Sequence, residues 1–220
     1  MKIANVDPQV PLSLLEAVRT VDRPDEGHET EYVPELRNKR LGLSETVFAQ
    51  IRRYSDAVKR STRIDREEAA AIARLLARRP DAEVVFRTAG RHVARASFGT
   101  LSPVTRGVLV SFPALITRPI ALRRLRHLGD RFLGASVKRV GGFVFLSVAD
   151  AVVADNEDGD VGATFYEAAL REYVALLLGG TGAVDLTRPG RSAEDYEWRA
   201  EWRAAPPSER RALRSAMARR

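Results

Sequence analysis

Cysteine is absent from the whole 220-residue chain, and histidine occurs only three times. The first absence excludes disulfide scaffolds, thiolate metal sites, iron–sulfur clusters and cysteine nucleophiles together. A metal or haem would have to rest on His28, His92, His127 and the carboxylates. Long apolar runs are missing too. The longest, from Gly107 to Ile116, falls far short of the roughly 20 residues that a helix needs to cross a bilayer. The first ten residues hold no apolar core of signal-peptide length. A soluble, cytoplasmic protein is therefore expected, with any membrane contact peripheral, at the inner membrane. Lysine is scarce: all the basic residues except Lys2, Lys39, Lys59 and Lys138 are arginine.

What is present is a globular composition, 45% apolar and 30% charged. Thirty-six basic against 29 acidic residues give a net charge of +7 and a pI near 10.2. The arginines are scattered over several helical segments and the tail, without glycine or aromatic interleaving. That pattern predicts salt-sensitive, non-specific attraction to nucleic acid and no sequence-specific binding. The arginine skew, beside abundant alanine, also fits a genomic base composition, and most charge runs serve solubility.

Residues 1–40 contain eight acids and six bases, with turn formers at Pro8, Pro11, Pro24, Gly27 and Pro34 and one short helical stretch near Leu12 to Val21. Residues 1–43 thus read as an extended arm that a protein partner or membrane complex would order. Removing residues 1–40 would then leave the melting temperature of the core nearly unchanged. Ser44 suits an N-cap for a helix carrying Val47, Ile51, Tyr54 and Val58. Asp65 caps a second helix with Ala69, Ile72, Ala73 and Leu76, which Pro80 stops, and Asp81 opens a third with Val84, Val85, Ala89, Val93 and Ala96. Pro103 starts a stretch, Val104 to Phe112, apolar enough to be buried, with breaks at Pro113 and before Pro119. Ile120 to Gly134 follows with Leu122, Leu125, Leu128 and Phe132 on one side and arginines elsewhere, an amphipathic helix whose basic face meets solvent, an anion or a membrane surface.

Near Ala135 the period shortens to two. Ser136–Val140 and Phe143–Ala149 flank Gly141-Gly142 as a hairpin. A polar loop, Asp155 to Gly162, a helix from Ala163 to Leu178, and strands at Val184–Thr187 and Tyr196–Arg203 complete the domain, residues 44–204. Residues 205–220 form a basic tail or helix. The expected fold class is α+β, with a four-stranded antiparallel sheet packed on one side by helices.

Several catalytic spacings fail. Aligning Gly159 with the sixth position of a calcium loop puts Ala154 first and Phe165 last, where ligating carboxylates belong. Gly179-Gly180-Thr181-Gly182 follows a helix instead of opening one, so it presents no helix N-terminus to a phosphate. The histidines share no zinc spacing, and no nucleophile constellation or nucleotide-cofactor fingerprint is visible. The reading leans away from an enzyme. His92 and His127, on helices beside apolar residues, are either surface or core histidines or the remaining ligands for a tetrapyrrole metal.

The segments Arg78-Arg79-Pro80-Asp81-Ala82, Phe86, Ala89-Gly90-Arg91, Leu109-Val110-Ser111-Phe112-Pro113, Phe132-Leu133-Gly134-Ala135-Ser136, Phe165-Tyr166-Glu167-Ala168-Ala169-Leu170 and Glu197-Trp198-Arg199-Ala200-Glu201-Trp202 resemble the 4-vinyl reductase domain family. Its members are small bacterial ligand-binding relatives of the transport-particle (TRAPP) fold. The resemblance covers about residues 44–204. It implies an antiparallel sheet backed by helices and an apolar pocket for a small flat, aliphatic or tetrapyrrole ligand, in members that serve bacteriochlorophyll synthesis or hydrocarbon sensing. The family's terminal hairpin commonly bears two cysteines; here that region has Pro189 and Tyr196. On this basis the chain is expected to be a non-catalytic binder of a hydrophobic or tetrapyrrole-like ligand, an accessory factor in bacteriochlorophyll synthesis or photosynthetic complex assembly. Phe86, Phe112, Phe132 and Tyr166 would line its site, with His92, His127 and Arg131 as polar handles. The alternative is a structural adaptor docking to a membrane complex through the arm and the basic surface, and a homodimer is compatible with either.

Overall fold

A computed structural model describes residues 5–22, 42, 44–112, 114–154, 160–179, 183–188 and 196–203. Among these are seven helices, a four-stranded antiparallel sheet and a two-stranded one. In chain order the elements are β1 (Asn5–Val6), α1 (Gln9–Val21), α2 (Glu45–Lys59), β2 (Ile64–Asp65), α3 (Arg66–Ala77), α4 (Ala82–Gly99), α5 (Pro103–Ser111) and α6 (Ala114–Leu128). A π turn at Gly129–Leu133 then leads into β3 (Ala135–Val140), β4 (Phe143–Val148), a 3-10 turn at Val152–Ala154, α7 (Asp160–Leu178), β5 (Val184–Arg188) and β6 (Tyr196–Glu201).

Local chemistry sets the helix starts. The Ser44 hydroxyl accepts from Val47 N at 3.3 Å and the Asp65 carboxylate from Glu67 N at 2.6 Å, each satisfying a backbone donor of a first turn. Asp81 occupies the same position before α4 but makes no cap bond. Its carboxylate instead accepts two bonds from Arg79, which also grips Asp22 at the end of α1 at 2.6 Å. The Arg79 guanidinium holds the Asp81 carboxyl below its usual pKa.

The sheet order is β3-β4-β6-β5. Alternation decides its faces: Val144, Leu146 and Val148 on β4 and Tyr196, Trp198 and Ala200 on β6 are buried, while Lys138, Phe145, Arg199 and Asp185 share a row across the other side. Gly141, with φ of 58°, supplies the left-handed turn between β3 and β4. On the covered face Tyr166 of α7 stacks on Trp198 with ring centroids 5.2 Å apart, and Trp198 stacks on Tyr196 at 5.5 Å.

Helices α4 and α7 run side by side in the same direction, with Gly90 against Phe165 and Ala169, and Ser97 bonded to Tyr173 Oη at 2.6 Å. A Cβ at Gly90 would lie 2.2 Å from the Phe165 carbonyl oxygen, so the approach depends on glycine. Gly90→Ala is expected to lower stability by about 3 kcal/mol, because two packed helices must separate. Urea denaturation of the variant checks this.

The structure corrects five expectations. Residues 5–22 are not an arm: Val10, Leu14, Ala17 and Val18 belong to the main core, Leu12 and Leu15 to a second cluster with Val47, Ile51 and Tyr54, and β1 pairs with β2. Val84 is exposed, because the buried stripe of α4 runs through Val85, Phe86, Ala89 and Val93. Val104 and Phe112 are exposed instead of buried, since α5 sits at the rim of the domain with Leu109 as its fully enclosed residue. Pro119 lies inside α6 near its start, where only the bond to residue 115 is given up, so the chain is not broken there. The helix expected from Ile120 to Gly134 ends at Leu128 and widens into the π turn. The rest of the expected arm, apart from Gly42, the polar loop at 155–159, the glycines at 180–182, Pro189 and the basic tail lie outside the described residues.

Among the described residues, no helix is long and apolar enough to cross a membrane.

Candidate functional site

Where β1, the start of α1, the turn before β2, the π turn and the start of α7 meet, the surface folds inward as two adjoining clefts. One, about 200 Å³, is lined by Val6, Val10, Phe132, Leu133, Val152, Phe165 and Tyr166, with Asn5, Asp7, Arg63, Asp130 and Asp150 contributing polar groups. Its neighbour, about 280 Å³, shares Asp7, Arg63, Arg131 and Phe132 and extends to Gln9, Val58 and Thr100. The shared residues make one continuous mouth.

Local folding aims each group. The π turn ends at Gly134 in the left-handed conformation (φ 61°, ψ 28°), whose N–H returns to the Gly129 carbonyl. Single π turns of this kind recur at functional sites because they re-aim the side chains they carry. Here the turn places the Arg131 guanidinium over the Phe132 ring, 5.0 Å from its centroid, and 3.7 Å from Asp7 Oδ2. Asp7 is itself fixed at the start of α1, where its Oδ1 accepts from Gln9 N at 2.9 Å. Arg63 and Asp130 are exposed at the mouth and have no ion-pair partner among the described residues.

Asp150 at the back of the cleft is buried, and so is its partner, Arg66, whose Nε and Nη2 donate to the carboxylate at 2.9 and 2.6 Å. This double bond to a buried guanidinium neutralises the floor charge. Tyr166, 2% exposed, accepts from Val153 N at 3.3 Å, and its own hydroxyl proton has no acceptor among the described residues. Burial pushes the Tyr166 phenol well above its ordinary pKa, so it stays protonated and able to donate. The cleft therefore joins apolar side chains, one buried O–H donor and the neutralised Asp150 to a rim of two arginines and two aspartates, Arg63, Arg131, Asp7 and Asp130.

Of the residues singled out from sequence, Arg131, Phe132 and Tyr166 converge here. Phe86 is sealed in the core between helices, Phe112 is 45% exposed on the rim, and His127 is exposed on α6. His92 is half-buried on α4 with Nδ1 enclosed and unbonded, and burial together with Arg95 and Arg19 lowers its pKa below the ordinary 6.5. These four do not line the described clefts. Below pH about 6.5 an unfolded chain takes up a proton that folded His92 resists. Its contribution to stability is complete above that pH and declines as pH falls toward the lower folded value. His92→Gln should flatten the loss in urea midpoint between about pH 7.5 and about pH 5.5.

Sequence reasoning missed Asn5, Asp7, Arg63, Arg66 and Asp150. One signal was available: Asp150 stands alone between Ala149 and Ala151-Val152-Val153, and a single charge in an apolar run implies a buried counter-charge. No group of three or more histidines and carboxylates suited to a metal gathers among the described residues. Compared with protein-family models, curated proteins and solved structures, the chain matches none.

Proposed function

We propose that this α+β protein is a non-catalytic binder of a small organic acid with an apolar body, held in the cleft beneath Arg131. The observation that carries the reading is the hydroxyl proton of buried Tyr166, which has no acceptor among the described residues and lies beside Phe132, Phe165 and Val152, with Arg63 and Arg131 at the mouth. An apolar cavity with a few convergent polar groups is the usual form of a ligand site. The ligand's apolar part would rest on Phe132, Phe165 and Val152, an oxygen would accept from Tyr166, and the carboxylate would meet Arg63 and Arg131. The volumes lie below the roughly 300 Å³ where ordinary ligand pockets begin, which favours a compact ligand. A tetrapyrrole, the ligand type implied by resemblance to the 4-vinyl reductase domain family, would have to spread the two clefts into one. An accessory role in bacteriochlorophyll synthesis or complex assembly follows only from that larger ligand.

Native mass spectrometry and absorbance against a panel of medium-chain fatty acids, aromatic acids and tetrapyrroles test the proposal. A compact acid should bind, and Tyr166→Phe should weaken it by up to about tenfold, the worth of one good hydrogen bond. Phe112→Ala and His127→Ala should leave affinity unchanged. A panel without binders, or binding indifferent to Tyr166→Phe and Arg131→Ala, would remove the reading.

A further inference from the structure

We propose that the solvent face of α5 and α6 docks on an anionic lipid bilayer. Three large apolar side chains stand out on this face: Val104 is 76% exposed, Ile116 47% and Phe112 45%. Along α5 the exposed positions Val104, Gly107 and Ser111 keep helical spacing, and along α6 the exposed Ile116, Pro119, Arg123 and Arg126 do the same.

Charge selects the occupant. Between Glu83 and Asp130 the sequence contains no carboxylate and eight arginines. Two of them, on α4, are neutralised from nearby: Arg87 by Glu83, and Arg95 by Glu172 at 2.7 Å. Arg118, Arg123, Arg124 and Arg126 on α6 have no ion-pair partner among the described residues, and Arg118 Nε is buried without a hydrogen bond. Uncompensated cations beside exposed apolar side chains match the two layers of an anionic membrane surface, phosphates outside and acyl chains beneath. A nucleic-acid backbone offers the phosphates and nothing for Val104, Phe112 and Ile116. The helices span 9 and 15 residues, so contact is shallow and parallel to the bilayer.

Co-sedimentation of the full chain with vesicles provides the test, comparing pure phosphatidylcholine with mixtures containing about one-third phosphatidylglycerol. Binding should be at least about tenfold tighter to the anionic vesicles. The pair Val104→Ser and Ile116→Ser should weaken it about tenfold, as should Arg123→Gln with Arg126→Gln, whereas Phe143→Ser on the sheet should change nothing. All these positions are exposed, so unchanged melting temperatures are expected except for Arg126→Gln, which gives up the 3.2 Å bond from Arg126 Nε to the Val137 carbonyl and should cost a degree or two, about the worth of one partly exposed bond. Equal binding to neutral vesicles, insensitivity to the α5–α6 substitutions, or tighter binding to duplex DNA than to anionic vesicles at physiological salt would each overturn the proposal.

Discussion

A chain lacking residues 1–22 is expected to show no cooperative unfolding transition. The deletion removes α1, whose Val10, Leu12, Leu14, Leu15 and Val18 are each at most 6% exposed and are shared between both apolar clusters. Burying such side chains stabilises a protein by roughly 1.5–3 kcal/mol each. The total, about 10 kcal/mol, equals the whole stability of an ordinary domain. It also removes the Asp22 carboxylate that bonds Arg79 and accepts from Gly42 N at 2.8 Å. The milder Leu14→Ala should cost about 3–4 kcal/mol and keep a sharp transition, since it opens one cavity in a formed core. A truncated chain that melts like the full one would restore the arm.

The second large effect belongs to Asp150→Ala. Arg66 would stay buried without its bonds to that carboxylate, and removing one partner of a buried ion pair costs about 3–5 kcal/mol. Arg66→Met combined with Asp150→Leu should recover most of the loss, because two apolar side chains need no counter-charge. Chemical denaturation of the three variants gives the comparison. A single variant as stable as the parent would mean that water reaches Arg66 and that the cleft floor is wet.

The elements that could be read from sequence are those fixed by neighbours in the chain. Ser44 and Asp65 cap the helices they precede, Gly141 turns the hairpin, and the alternation from Tyr196 to Glu201 marks an edge between core and solvent. Each depends on interactions a few residues apart. Helix α1 is legible as a short helical stretch near Leu12 to Val21, but its packing is not, because it lies among acids and prolines and is buried on two sides. Its polar Gln9 and Ser13 are enclosed too, joined by a 3.3 Å hydrogen bond. Conversely, Val104 to Phe112 has the composition of a core segment, but exposure depends on what packs above it, and local composition carries none of that information. The cleft has the same origin. Asp7, Arg63, Arg131 and Tyr166 lie far apart in sequence and meet only through the pairing of β1 with β2 and the packing of α7 on the sheet.

An amide NMR titration of the full chain distinguishes a ligand site in the cleft under Arg131 from one elsewhere. With octanoate and indole acetate as probes, saturable shifts are expected at Val6, Asp7, Asp130, Arg131, Phe132, Gly134 and Val152, abolished in the Tyr166→Phe, Arg131→Ala double variant. Shifts centred on α5 and α6 instead, or spread over the surface without saturation, would contradict a ligand site in the cleft.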